Sequence, residues 1–464
     1  MIDGKPRTAR FIGVRAIRKD AIILTLCSFL IVATPAQRSI NASPQQTEMA
    51  ERALRLEDLE RLALQNNPTV AQAEAAVRAA EGRRLQAGLM PNPIIGYAGE
   101  ELAPRAFGQK SEHFIFGEQE VPLGGKLQKS RAIFARERAQ AQAEAAAQKQ
   151  RVLNAVRALY YEALGAQRLV EVRGELARLA NEAVDVTGEL FNTGAADRPD
   201  ALQIQVEARR ARLDLIMAGN ERDQIWRQIG AVVGDPFLKP SRLIGDLERG
   251  MPRIDQDQLL ATMLRESPEV KRAQAGVERA RAAGARARAE PKPNIFLRGG
   301  MGYSTELLET IPPQPIGRKT GLEGFVEFGL RIPLFNHNQG AIAEASAELD
   351  FAVREEQRVE LALRARTASA FRVYQNALSV VIEYQEQIIP RAQEAYELYL
   401  ANFKRMSAAY PQVLIAQRTL FQAQAEYVRA LVDVWRNATQ LQGFMLTGAL
   451  DAPGGIPEVG DNHE

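Results

Sequence analysis

Few residues in this chain could carry out chemistry, and their spacing assembles no catalytic set. Histidine occurs only as His113, His337 and His463, too scattered for a histidine metal centre or a general base with its partners. The single cysteine, Cys27, lies in an apolar run near the N-terminus, after Leu26 where a lipidation site would want a small residue. Pro122-Leu123-Gly124-Gly125-Lys126 invites comparison with a phosphate-binding loop. However, Glu120 stands where that loop needs glycine, and Leu127 rather than Ser or Thr follows the lysine. Its later counterpart, Pro333-Leu334-Phe335-Asn336-His337-Asn338-Gln339-Gly340, keeps the proline and loses the lysine, so both read as strand-to-helix turns. No catalytic residue, metal ligand or cofactor is expected.

The remaining candidates are charges whose meaning depends on symmetry. Asp197, Arg198 and Asp200 fall at one helix-turn-helix tip, and Lys404, Arg405 and Ser407 at another. Such charges ordinarily cap a helix or face water, but repeated around an axis they become a ring, and rings of charge select and gate. Asp197, Arg198, Asp200 and Arg405 are therefore candidate aperture residues. Arg298, Glu327 and Arg331, on alternating segments, are candidates for a wet inner face.

These residues are positioned by a plan used twice. Pro68, Val70, Ala73, Val77 and Pro91-Asn92-Pro93 return 200 residues later as Pro268, Val270, Ala273, Val277 and Pro291-Lys292-Pro293. Val121-Pro122-Leu123 returns as Ile332-Pro333-Leu334, and Phe191, Pro199 and Leu202 as Phe403, Pro411 and Leu414. A long fixed period marks one structural unit used twice. The first unit spans 54–250 and the second 251–448, followed by a disordered Pro/Gly/acid tail over 449–464.

Each unit combines a short helix, a Pro-initiated helix, two strands and a long helical hairpin. No proline occurs between Gly125 and Leu190, and Leu169, Val172, Leu176, Leu179, Ala183, Val186 and Leu190 follow a heptad seam. Some ~60 helical residues at ~1.5 Å rise would reach on the order of 90 Å. The second long helix, Asn338 to Asn402, contains Pro390 and is expected to kink there.

Strands are expected at about 94–101, 113–121, 294–303 and 324–333. The second pair alternates cleanly: Ile295, Leu297, Gly299, Met301 and Tyr303 against Phe296, Arg298 and Gly300, then Val326, Phe328, Leu330 and Ile332 against Glu327 and Arg331. Their length suits a transmembrane barrel strand, although a half-exposed soluble sheet has the same alternation. Four strands cannot close a barrel, so a membrane reading requires several copies of the chain.

Residues 1–42 read as an export signal: a basic stretch through Lys19, an apolar run from Ala21 to Ala33, and cleavage after Ala36 or Ala42. The apolar run falls short of the ~20 residues of a spanning helix. A net charge of +2, with acids and bases interspersed, argues against a nucleic-acid partner.

The duplicated Pro-initiated helices, paired strands and returning hairpins resemble the TolC-like outer membrane factors over about Leu54 to Gly448. Met90-Pro91-Asn92-Pro93, Glu120 to Lys126 and Ile332 to Gly340 are most similar to the cobalt–zinc–cadmium heavy-metal branch. The resemblance implies a mainly α protomer with a transmembrane β part. It implies a homotrimer whose twelve strands close a barrel in outer membrane lipid, continued by a periplasmic α-helical barrel. It further implies a passive efflux duct, not an enzyme, fed by an inner-membrane RND-type pump through a periplasmic adaptor. The adaptor would meet the tips at Gly194, Ala195, Met406 and Ser407. The second tip, Arg405-Met406-Ser407, lacks the glycine that Gly194 supplies to the first, a departure from the family pattern. A multidrug or protein-secretion duct is the alternative cargo reading. A soluble exported coiled-coil scaffold is the rival from another class.

Overall fold

A computed structural model of the 464-residue chain describes residues 53–100, 112–194, 197–304, 307–308, 317–318, 321–405 and 410–454. The expected signal segment lies outside these residues. The two repeats open alike. Helix α1 (Leu56–Asn66) buries Leu59 and Ala63, and helix α2 (Pro68–Gln86) starts on a proline whose missing N–H costs nothing in a first turn. Asn67 caps it: its Oδ1 accepts from the Thr69 N–H at 2.9 Å while its Nδ2 donates to the Val232 carbonyl at 2.7 Å. In the second repeat α5 (Gln256–Glu266) buries Met263, and α6 (Pro268–Ala287) buries Val270, Val277 and Ala280.

Two strands follow in each repeat. β1 (Ile94–Glu100) and β2 (Glu112–Val121) come from the first, β3 (Ile295–Ser304) and β6 (Gly321–Leu330) from the second. The connection between β3 and β6, expected as a plain polar loop, carries a small hairpin of its own, β4 (Leu307–Leu308) with β5 (Gly317–Arg318). The four long strands form one antiparallel sheet in the order β1-β2-β3-β6. The repeats therefore meet between β2 and β3, and β1 and β6 are left as open edges. The last strand begins and ends three residues earlier than its alternation suggested.

Strand turns into long helix at two left-handed residues. Gly124 and Gly125 have φ of 73° and 66°, which glycine adopts without steric cost. The second junction uses Asn338 at φ 60°, the side chain that best tolerates this region. From the first junction α3 (Lys126–Asn192) runs 67 residues, about 100 Å at ~1.5 Å per residue. It is the spine of the fold, packing against α2, α6, α4 (Arg198–Val233) and α9 (Tyr410–Gln442). The main core joins Val152, Val156 and Leu164 of α3 to Ile229 and Val233 of α4, and to Leu431, Val434 and Leu441 of α9.

The heptad seam expected on α3 is only partly followed. Leu169, Val172 and Ala183 are buried, but Val186 is 45% exposed, and Ala177, Ala180 and Thr187 take the inward positions instead. Ala177 and Ala180 pack on Ala208 and Ala211 of α4, and these small side chains allow the two backbones a close approach that leucines would prevent.

The long helix expected over 338–402, with a kink at Pro390, is interrupted just upstream of that proline. α7 (Gln339–Glu383) passes into a π-helical turn over Tyr384–Ile388 before α8 (Ile389–Lys404) resumes. Pro390 cannot donate to the Glu386 carbonyl and its ring would strike it, so the ladder widens just upstream. The Tyr384 hydroxyl donates to Glu426 on α9 across this turn.

The first part of the C-terminal tail is tied down, contrary to the expected disorder from 449. Asn154 donates to the carbonyls of Gly443 and Leu446 at 2.8 and 2.9 Å. Gln148 and Thr69 both donate to the Ala449 carbonyl, and Glu144 accepts from the Gly454 N–H. Residues 455–464 lie outside the described residues.

Candidate functional site

The sheet has two faces of opposite chemistry, and the register fixes which residue belongs to each. One face carries Ile95 and Tyr97 on β1, Ile115 and Val121 on β2, Ile295, Leu297 and Met301 on β3, and Val326, Phe328 and Leu330 on β6. Most of these are exposed in the protomer, Ile95 at 79% and Val326 at 86%. Towards the end of the sheet away from the long helices this face ends in aromatics. Tyr97 stacks on His113 and hydrogen-bonds its Nδ1 at 2.5 Å, and Tyr303 lies directly opposite His113 on the next strand.

The other face is acidic and aromatic. Glu100, Glu112, Glu118, Glu120, Glu323 and Glu327 all fall on it, against Arg298 as the one strand base. Between them lie four phenylalanines, each directly opposite a glycine on a neighbouring strand: Phe116 by Gly96, Phe325 by Gly300, Phe114 by Gly302 and Phe296 by Gly329. A Cβ on Gly96 or Gly300 would come within 2.5 or 2.6 Å of its phenylalanine ring. At these two positions the ring lies down over the bare backbone instead of standing off the sheet. Phe114 does the same over Gly302 and meets Phe325 edge-on at 5.4 Å.

The expected inner-face residues are brought together here. Arg298 pairs with Glu327 across the strands at 3.6 Å and sits over the Phe116 ring at 4.1 Å. Arg331, just beyond β6, lies over Phe296, which belongs to the same face. Sequence reasoning missed the glutamates of β1 and β2. The signal was available, because Glu112, Phe114, Phe116, Glu118 and Glu120 alternate with His113, Ile115, Gly117, Gln119 and Val121.

Where the sheet joins the helices, Lys126 is buried, only 5% exposed. Its ammonium donates to Asn294 Oδ1 at 2.8 Å and pairs with Glu290 at 3.5 Å, and Asn294 in turn donates to Glu120. The lysine of the phosphate-loop lookalike is thus consumed in tying the first repeat to the second.

At the tips, Gly194 has φ 77° and open space around it, as a turn residue should. Asp197 precedes α4, Arg198 and Asp200 lie in its first turn, and Arg405 ends α8; all four are exposed. Ala195, Met406 and Ser407 lie outside the described residues. Asp200 lines a groove of about 370 Å³ between the α3–α4 hairpin and the start of α9, with Pro411, Leu414 and Arg418 on the opposite wall. Arg173 pairs with Asp214 at 3.2 Å and Arg418 with Glu207 at 3.8 Å along it. At its far end the Tyr384 hydroxyl, helped by Gln422, holds the Glu426 carboxyl below the usual carboxylate range.

Among the described residues there is no cluster of three or more His, Cys, Asp or Glu able to hold a metal ion, and no helix long and apolar enough to cross a membrane. A strand-built membrane face is a separate matter. The chain matches the outer membrane efflux protein family in two successive segments, residues 59–235 and 259–445, one per repeat. It belongs to that family. The family is one of outer membrane channels, which are not enzymes, and the protein is located in the outer membrane and extends into the periplasm. The cobalt-zinc-cadmium resistance protein CzcC of Cupriavidus metallidurans is 25% identical over 400 residues, covering 84% of this chain and 90% of that protein. Among solved structures, the outer-membrane channel OprN superposes with a TM-score of 0.68 at 17% identity, covering 85% of this chain and 90% of its own. The outer membrane protein VceC of Vibrio cholerae gives 0.66 at 18%, covering 85% and 96%. At such identities these two likenesses speak for the fold alone.

Proposed function

We propose that three copies of this efflux protein join β6 of one protomer to β1 of the next and close a twelve-stranded barrel. The observation that carries this is the four-stranded sheet itself, with an apolar face, an acidic face and two open edges. Open edges leave unpaired N–H and C=O groups that hydrocarbon cannot accept, and eight strands are the fewest that close. The apolar face with its Tyr97, His113 and Tyr303 border turns to lipid, and the acidic face lines the bore. The long helices continue the passage through the periplasm towards an adaptor and an inner-membrane RND-type pump. The hairpin tips around Gly194 to Asp200 and Met406 to Pro411 meet the adaptor.

The cargo is divalent heavy-metal cations. Two things support this: the likeness to CzcC along most of both chains, and an inner face on which carboxylates greatly outnumber bases. The duct conducts passively; the pump supplies the energy, and the wall favours cations without binding them at a dedicated site. A deletion strain tests this through growth on zinc, cadmium, cobalt, nickel, copper and a detergent-like drug. The intact gene, or a copy lacking Gly324 to Pro333, is supplied back. Metal-selective sensitivity rescued only by the intact gene is expected. Sensitivity to the drug alone would overturn the metal cargo and leave the duct.

A further inference from the structure

One row of the acidic face differs from the rest. In the ladder, Glu118, Arg298 and Glu327 stand side by side on β2, β3 and β6, so the strand arginine faces a carboxylate on each flank. The next row toward the far end of the sheet is Phe116, Gly300 and Phe325, and the guanidinium leans over both rings, at 4.1 Å from Phe116 and 5.6 Å from Phe325. Its Nε is buried without a hydrogen-bond partner, while the forked end reaches Glu327 at 3.6 Å. Two aromatic faces and two flanking carboxylates are the chemistry that recognises a cation. Here the protein fills that place with a cation of its own.

We propose that Arg298 is the selectivity-setting residue of this wall: a tethered cation that keeps the Glu118–Glu327 row from holding mobile cations as they pass. The inference rests on the reading that this face lines an aqueous passage. The row carries one net negative charge per protomer with Arg298 present and two without it. The guanidinium lies over Phe116 and beside Glu327, which places its charge at the height of this row on the wall. Removing it would leave Phe116, Phe325 and two carboxylates free to retain a divalent metal or an organic cation.

The test is single-channel recording of the purified full-length protein in planar bilayers, in potassium chloride gradients, with cadmium added to one side. Arg298→Gln is expected to raise the potassium-over-chloride permeability ratio by about two- to three-fold and to make cadmium slow the current at lower concentration. Arg298→Lys keeps the charge and should leave the permeability ratio near that of the unmodified protein. Glu327→Gln should shift the ratio the opposite way, which keeps the test decisive if one variant inserts poorly. Channels of normal conductance whose ratio and cadmium response are unmoved by Arg298→Gln and Glu327→Gln would overturn the assignment of Arg298. Failure of the unmodified protein to conduct would instead overturn the duct reading on which the assignment stands.

Discussion

Replacing Lys126 by methionine tests whether the junction between sheet and helix is held by one buried ammonium. Methionine keeps the unbranched apolar stem, so little packing changes. What is lost is the bond to Asn294 Oδ1 at 2.8 Å and the pairing with Glu290 at 3.5 Å. Glu290 is 43% exposed, and a pair with so wet a partner contributes at most about 1 kcal/mol. The charge-assisted bond to Asn294 is worth about 1.5–3 kcal/mol, which puts the total loss near ~3 kcal/mol. With an unfolding entropy of ~2 cal/mol/K per residue, a chain this long should melt about 3 °C lower. Lys129→Met is the comparison, because Lys129 merely donates to the Gly124 carbonyl at 3.0 Å from the same turn. Its loss should cost under ~1 kcal/mol and shift the midpoint by about 1 °C or less. The assay is helical circular dichroism against temperature on detergent-purified protein, extended to a double-mutant cycle with Asn294→Ala. A non-additive coupling of about 1–2 kcal/mol is expected between Lys126 and Asn294. Equal shifts for the two lysine variants, or strict additivity with Asn294→Ala, would refute the argument. Lost efflux at unchanged stability would give Lys126 a role beyond holding this junction together.

Asn154→Ala should destabilise by about 2–4 kcal/mol, because it orphans the carbonyls of Gly443 and Leu446 in a buried setting; thermal melting reads this, and Asn181→Ala, which loses only a bond within its own helix, should be near neutral. Gly165→Val should cost about 1–3 kcal/mol, since a Cβ there already overlaps the Val432 side chain where α3 meets α9; an unchanged melting point would contradict so close a contact. Burial pushes Tyr160 and Tyr427 up to about 12, so their stabilising contribution is complete below pH 10 and is lost as pH rises through 12. Phenolate absorbance should therefore show a late-titrating fraction accompanied by a fall in melting temperature, and Tyr160→Phe should reduce that fraction.

Much of the architecture was legible because its signals are long or repeated. Pro68 and Pro268 announce matching helices, and proline-free sequence from Gly125 onward announces the spine. The alternation of β3 and the β6 segment needs only period two. The strand order did not follow from local pattern, because pairing β2 with β3 joins residues more than 170 positions apart. The acidic face was half seen: Arg298 and Glu327 stood out, whereas Glu118 and Glu120 sit among glutamine and glycine that blur the alternation. The tight α3–α4 contact was misplaced because alanine carries no strong hydrophobic signal, yet its small size lets the helices approach. Pro390 signalled a disturbance but not its kind; a π-turn and a kink answer the same missing N–H. Lys126 read as a turn residue because no sequence rule brings Asn294 and Glu290 to it.

The pinned C-terminus sets an order of events. Asn154, Gln148, Thr69 and Glu144 lie in the first third of the chain, and the groups they bond lie between Gly443 and Gly454. Glu144, Gln148 and Thr69 have partners elsewhere, but until residues 443–446 have been synthesised the buried Asn154 amide has only water in place of the two carbonyls it bonds. The seam between the first repeat and residues 443–454 therefore closes only after both strand pairs and both hairpins have been synthesised. A chain ending at Gln442 retains both strand pairs and both hairpins, yet leaves the Asn154 amide without the Gly443 and Leu446 carbonyls it bonds. The joint between the repeats is thus sealed by residues 443–454, after both units have been made.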